Sequence, residues 1–343
     1  MAPRATITLA ASVVQQAPPD STEPSGRRLF DAAEPLALTL TADFGAIARQ
    51  RGPEKKDQPG VLSYVAATGD SVRLDVQLRT RGHFRLKICQ YPPLKIVFDK
   101  TQTAHTTFAH QGSSLKLTVQ CRSGRSSANY LLEEYVIYRV YNLLTERSFR
   151  ARLARVIYAD AQGKHPPEMR YALFVEDDDK MARRNKAEVF EQKGVSQNEV
   201  DSEQMGLVAV FQYMIGNTDW AVSALHNIVL IRDSTGVMYP VPYDFDWSGV
   251  ISPPYAQPDP SLGIRTVRER TFRAGCRTPE DLAALFVRFN AQKEAIYALY
   301  RGLESEGLEP KRIAQALDYY DEFYKTINDA GRTRREFTRS CQK

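Results

Sequence analysis

The sequence predicts an α+β fold of two lobes, an amino-terminal one built mainly of antiparallel sheet with one helix and a carboxy-terminal one that is mainly helical. Three observations predict it. Apolar and polar residues alternate in short runs at 36–40, 72–78, 94–98, 113–119, 154–158 and 170–175, the period of half-buried strands. After residue 176 the pattern turns helical, with apolar or amphipathic runs at 202–215, 279–303 and 310–329. With 343 residues, 43% hydrophobic and 25% charged, the chain can bury a sizeable core in one large or two modest domains. The expected divisions are 1–30, a disordered leader or degenerate signal peptide; 31–176, the sheet-rich lobe; 177–332, the helical lobe; and 333–343, a basic tail expected to fray.

Residues 7–14 are apolar behind Arg4, the length of a short signal-peptide core, but residues 14–17 make a poor small-x-small cleavage site. Export, to the periplasm or outside the cell, is favoured over retention in the cytosol. No apolar run reaches the roughly 18 residues of a membrane span. A net charge of +5, spread along the chain, suits a polyanionic ligand such as a nucleotide and does not by itself argue for nucleic acid. The four cysteines, Cys89, Cys121, Cys276 and Cys341, form no CxxC or Cys/His pair with metal spacing, which argues against a zinc site. Cys89 and Cys121 flank consecutive strands and could face one another, as a disulfide or as two buried thiols.

Between the strands at 72–78 and 94–98, the stretch 79–87 sets Arg79, Arg81, His83, Arg85 and Lys87 around Gly82. Read as a loop, it suits phosphate through backbone NH groups and guanidinium forks, or is a solvated basic surface. No GxxxxGK[ST] is present. The strand at 113–119 carries Lys116 among apolar residues, and the helix expected at 130–144 has Glu133 inside its apolar face. A buried carboxylate needs a cation, so Lys116 is the expected partner of Glu133, with Lys95 and Glu134 as the alternative members of the pair. Glu176 stands where strand gives way to helix, and the acidic run after it reads as a solvated helix start.

The most chemically suggestive stretch is 214–249. An apolar helix ends in Gly216-Asn217-Thr218-Asp219; Asn227 follows and opens a strand; Asp233-Ser234-Thr235-Gly236 turns it; and the return strand stops at Pro242-Tyr243-Asp244-Phe245-Asp246. One hairpin is thereby flanked by Asp219, Asn227 and an aspartate pair, the order in which phosphoryl transfer uses a hydroxyl-orienting carboxylate and then metal-holding Asn and Asp. His226 beside Asp219 invites a hydrolase reading, but no Gly-x-Ser-x-Gly elbow surrounds any serine.

These segments, Gly216 to Asp219, His226-Asn227 and Pro242 to Asp246, resemble the active-site region of the CotH-type (spore-coat) atypical kinases and, more distantly, of HipA-type and phosphoinositide kinases. The resemblance covers about residues 70–250 and is closest over 216–246. It implies a two-lobed protein-kinase-like fold holding ATP and Mg²⁺ or Mn²⁺ between the lobes and acting on a hydroxyl of a protein, sugar or small molecule. Asp219 is then the catalytic Asp, Asn227 a metal ligand, and Asp244 or Asp246 the metal-binding Asp. Lys116, held by Glu133, would steady the phosphates. Arg79-Thr80-Arg81-Gly82 resembles the Arg-Gly element of the family's nucleotide site, without the Asn-Ser that usually follows, and Glu176 lies where hinge backbone would meet adenine. The chain departs from ordinary protein kinases in lacking His-Arg-Asp, in a longer Asp-to-Asn gap, and in Asp-Phe-Asp where they have Asp-Phe-Gly. Those departures keep two alternatives in view: a nucleotide-binding pseudokinase or scaffold, and a metal-dependent phosphohydrolase using Asp219, Asp244 and Asp246.

Overall fold

The structure, a computed structural model, describes residues 28–339 and 341, so the leader expected at 1–30 lies almost wholly outside the described residues. The strands are β1 (Leu36–Ala42), β2 (Gln58–Val65), β3 (Ser71–Thr80), β4 (Leu94–Phe98), β5 (Ser114–Val119), β6 (Ala151–Asp160), β7 (Glu168–Val175), β8 (Ala187–Val189), β9 (Ile228–Asp233) and β10 (Met238–Pro242). The helices are α1 (Phe44–Arg49), α2 (Phe84–Ile88), α3 (Lys100–Thr103), α4 (Arg125–Leu144), α5 (Asp178–Arg184), α6 (Ser202–Ile215), α7 (Pro279–Ala291), α8 (Lys293–Gly302), α9 (Pro310–Ile327) and α10 (Ala330–Thr333).

The first seven strands correct the expected antiparallel-sheet lobe and, with it, the two-lobed kinase-like fold. They close into a barrel in the order β1-β2-β3-β4-β5-β7-β6, because β1 pairs in parallel with β6 from Leu36↔Ala154 to Ala42↔Asp160. Alternation explains the closure. Leu36, Leu38 and Leu40 share one face of β1 with Ala42, and they meet Leu62, Leu78, Ile96, Leu117, Val156 and Phe174 in one interior cluster. Each such side chain contributes about 1.5–3 kcal/mol when fully buried, and closing the ring leaves no edge exposed to water. Strand β2 gives a weak sequence signal because Pro59 and Gly60 interrupt its period. Gly60 suits this close approach: a Cβ would sit 3.1 Å from the Thr41 carbonyl oxygen and 3.0 Å from Leu78, tighter than ordinary van der Waals contact.

The barrel's other face is covered at β6 and β7, where Leu153, Leu173 and Val175 join α4 in a second cluster. That cluster also takes in α6, the hairpin and the carboxy-terminal helices. Helix α4 starts at Arg125, earlier than the apolar period suggests, and α6 spans Ser202–Ile215 as its pattern predicts. The run expected at 279–303 is broken at Gln292 into α7 and α8. Strands β8, β9 and β10 form a separate antiparallel sheet in the order β10-β9-β8.

The basic tail expected to fray is packed. Residues 334–339 form a π-helix that buries Phe337 against Tyr213, Phe272 and Phe286, and Cys341 is bonded to Cys276. Cys89 and Cys121 form the second disulfide. Among the described residues no helix is long and apolar enough to cross a membrane.

Candidate functional site

Helix α6 delivers the first functional side chain. It ends at Gly216 in the left-handed region (φ 68°), where a Cβ would collide with the Tyr319 hydroxyl, so only glycine fits the turn. The chain then folds back on itself. Asn217 Oδ1 accepts from the Asp219 backbone NH at 3.0 Å, Trp220 Nε1 donates to the Asn217 carbonyl at 3.2 Å, and the Arg273 guanidinium donates to the carbonyls of Thr218 and Trp220. A two-way backbone bridge between Ala221 and His226 closes the loop.

Asp219 and Asn227, eight residues apart in sequence, are in contact. Asn227 Nδ2 donates to the Asp219 carbonyl oxygen at 2.8 Å and to its Oδ2 at 2.9 Å, and His226 Nε2 lies 2.7 Å from Oδ1. Because the Asn227 amide nitrogen faces two acceptors, its carbonyl oxygen points away from them. The Tyr243 backbone NH then donates to the Asn227 backbone carbonyl, not to its side-chain oxygen, at 3.1 Å, which puts Asp244 next to this group. Asn227 (φ 51°) and Asp244 (φ 58°) both adopt left-handed backbone. Asn and Asp tolerate that region better than other side chains, yet it is sparsely populated and such residues concentrate at functional sites.

Arg85, on α2, is the residue that sequence reasoning undervalued. Its Nε donates to Asp246 at 2.9 Å and its Nη2 to Glu134 at 2.7 Å, with Asp244 Oδ1 at 3.5 Å. Three carboxylates thus converge on one guanidinium. Burial pushes the Glu134 carboxyl up to about 8, against the pull of Arg85 and with the repulsion of Asp246 and Asp244. Desolvation and the neighbouring Asp246 carboxylate likewise push Asp244 up. The Asp246 and Glu134 side chains are 9% and 3% exposed while that of Asp244 is 49% exposed, so Asp244 is the member that faces outward. Asp246 is further held by the Tyr255 hydroxyl at 3.1 Å, and the Asp244 backbone NH donates to Tyr138 Oη at 3.0 Å.

The expected pairing of Lys116 with Glu133 is corrected. Lys116 Nζ lies 2.7 and 2.9 Å from the two oxygens of Asp178, in the first turn of α5. Glu133 is buried against Arg312 of α9 at 2.6 Å, and burial pushes its carboxyl up to about 8. The physical reason is facing: outward side chains of β5 look toward the start of α5, whereas Glu133 and Glu134 leave α4 in directions about 100° apart. Of the two alternatives, Glu134 does meet a cation, but from α2.

Glu176 is a staple of the polypeptide rather than an open hinge position. Its carboxylate receives Arg184 at 2.8 and 3.1 Å and the Arg150 backbone NH at 3.1 Å, and its own NH donates to the Arg150 carbonyl. The stretch 79–87 is likewise not one loop: Arg79 and Thr80 end β3, and Gly82 (φ 81°) leads into α2.

One arrangement could not be read from any single segment. Arg79, Lys95 and Lys116 are directly opposite one another on β3, β4 and β5, in the registers Arg79↔Lys95 and Lys95↔Lys116. All three alternate with buried residues and so face outward. Like charges directly opposite on neighbouring strands are destabilising. Arg79 has Asp57 at 3.6 Å and Lys116 has Asp178, while among the described residues Lys95 makes no ion pair. Arg81 continues the same face beyond Arg79. Its charge acts on Asp244 and on the Tyr243 hydroxyl, and Tyr243, pushed up to about 12 chiefly by burial, also feels Asp244 and Asp178. A basic strip therefore runs toward Tyr243 and Asp244.

Among the described residues no three His, Cys, Asp or Glu side chains form a ready metal cluster. The donors present nevertheless fit a small hard cation: one half-exposed carboxylate whose charge is disfavoured as it stands, and one amide oxygen turned away from its neighbours. Mg²⁺ commonly takes one or two protein oxygens and completes its shell with water and substrate phosphates. Compared with known proteins, the chain matches no protein-family model and no curated protein.

Proposed function

We propose that the chain is a metal- and ATP-dependent phosphotransferase acting on a hydroxyl group. The observation that carries this reading is the contact of Asp219 with Asn227 beside Asp244, the last two in left-handed backbone, with a basic strip leading to them. Asn227 and Asp244 would hold the Mg²⁺ or Mn²⁺, which when bound neutralises phosphate charge. Lys116, Arg81, Lys95 and Arg79 bind the phosphates of the nucleotide. Asp219 orients the acceptor hydroxyl and takes its proton as the new oxygen–phosphorus bond forms and the bond to the leaving nucleoside diphosphate breaks. The likeness of residues 216–246 to CotH-type kinases supports the same roles. Two disulfides fit an oxidising compartment, and so an exported protein.

A phosphohydrolase that uses Asp246 as a metal ligand is disfavoured, because Arg85 and Tyr255 both donate to its Oδ2 and the side chain is only 9% exposed. Nucleotide binding without transfer is favoured by one observation, the hydrogen bonding of both Asp219 oxygens by Asn227 and His226. Calorimetric titration of ATP with and without Mn²⁺ tests the site. Wild type should bind only with metal, and Asp244→Ala should lose at least about 100-fold in affinity; metal-independent binding, or none, defeats the proposal. Labelled ATP with a library of hydroxyl acceptors then separates transfer from binding alone.

A further inference from the structure

A cavity lies beside Arg85. It has a volume of about 560 Å³ and opens between α2, the first turns of α4 and the Pro254-Tyr255 segment. That size is within the range of small-molecule sites. Its lining is sorted by chemistry. Ile88, Val119 and Leu131 make an apolar wall, and the buried Arg85–Glu134 pair makes the floor. The rim is basic and hydroxylic: among the described residues the Arg122 guanidinium has a 3.4 Å bond to the Ile88 carbonyl and no carboxylate partner, and the Ser126 hydroxyl makes no hydrogen bond. The first turn of α4 carries no acidic side chain to oppose a negative ligand there.

The cavity is held in shape from both sides. The Cys89–Cys121 disulfide fastens the end of α2 to the chain entering α4, and Cys121 is itself part of the wall. Gln120 donates to the carbonyls of Arg122 and Gly124, and the Ser127 hydroxyl accepts from the Arg122 backbone NH, so the rim segment is fixed by its own hydrogen bonds. A preformed pocket of this kind binds without ordering cost in the protein.

We propose that this cavity binds a small organic anion, a phosphate ester or carboxylate carrying a ring or short apolar body. The anionic group pairs with Arg122 at the rim, and the body rests on Ile88, Val119 and Leu131. Asp219, Asn227, Asp244 and Lys116 are not among the residues that line the cavity, and the proposal does not depend on the reading given to them.

Phenyl phosphate titrated into the full chain tests this, with inorganic phosphate and benzyl alcohol as comparators. Wild type should show one saturable site for phenyl phosphate and much weaker binding of either comparator. Arg122→Ala and Ser126→Trp, both at exposed positions, should each weaken it by about tenfold or more, and Asp244→Ala should leave it unchanged. The proposal is overturned by any of four results: no saturable binding to wild type, full-strength binding in either rim variant, inorganic phosphate binding as tightly, or loss of binding in Asp244→Ala, which would assign the probe to the transfer site.

Discussion

At the tip of the β9–β10 hairpin, Asp233 gives its carboxylate to its own turn: it accepts from the Thr235 NH and hydroxyl, the Val237 NH and the Tyr239 hydroxyl, and these bonds, the Thr235 hydroxyl foremost, hold it below the usual carboxylate range. At the base of the same hairpin, Asp244 has a left-handed backbone, an outward carboxylate and a pKa pushed up by desolvation and Asp246. The two aspartates of one hairpin thus differ in backbone, in exposure and in the direction in which their surroundings move the carboxyl.

The contrast is broken most severely through Arg85. Replacing it by Leu removes the one guanidinium among Glu134, Asp244 and Asp246, two of them buried. The cost should be about 3 kcal/mol or more in urea unfolding; less than 1 kcal/mol, about the worth of an exposed pair, would mean that the cluster is not the buried counter-charge described.

A second test uses pH, on the neighbouring glutamate that lies away from the proposed metal. Folding raises Glu133 from 4.5 to about 8, chiefly by burial. The folded chain therefore holds a proton that the unfolded chain has released between those values, so this stability contribution is full below the unfolded pKa and is lost as pH rises through the folded one. Thermal unfolding midpoints should fall across that window, and Glu133→Gln should flatten the fall. An equal slope in both proteins would remove Glu133 as its source.

The smallest expected effect sharpens the comparison most. Asp244→Gly relieves the left-handed backbone and one of the crowded negative charges, and should stabilise the fold by about 1 kcal/mol while abolishing metal-dependent nucleotide binding. Asp233→Gly should lower the melting temperature slightly and leave nucleotide binding intact. Opposite signs at the two ends are the prediction, and the same sign at both would end the contrast.

Much of the site is legible in local sequence because its geometry is local. Gly216, Asn217 and Asp219 make a helix stop and a tight turn, and the hairpin brings Asn227 to Tyr243 whatever surrounds it. The Cys89–Cys121 disulfide is half-legible for the same reason: both cysteines lie beside neighbouring strands, which fixes their proximity but not their oxidation state. The misread pairings, Lys116 with Glu133 and a frayed tail, involve partners far away in the chain: Asp178, Arg312 and the Phe337 pocket.

Local sequence therefore accounts for the periodic elements, the hairpin and the turn residues flanking it, because hydrogen bonding over a few residues and alternation of burial decide them. Tertiary structure alone decided the closure of the barrel by β1 against β6, the row of Arg79, Lys95 and Lys116, and the choice of Arg85 as counter-charge. Strand partners and ion partners are selected by competition among all faces of the folded chain, where the desolvation cost of each charge depends on neighbours that no local pattern specifies.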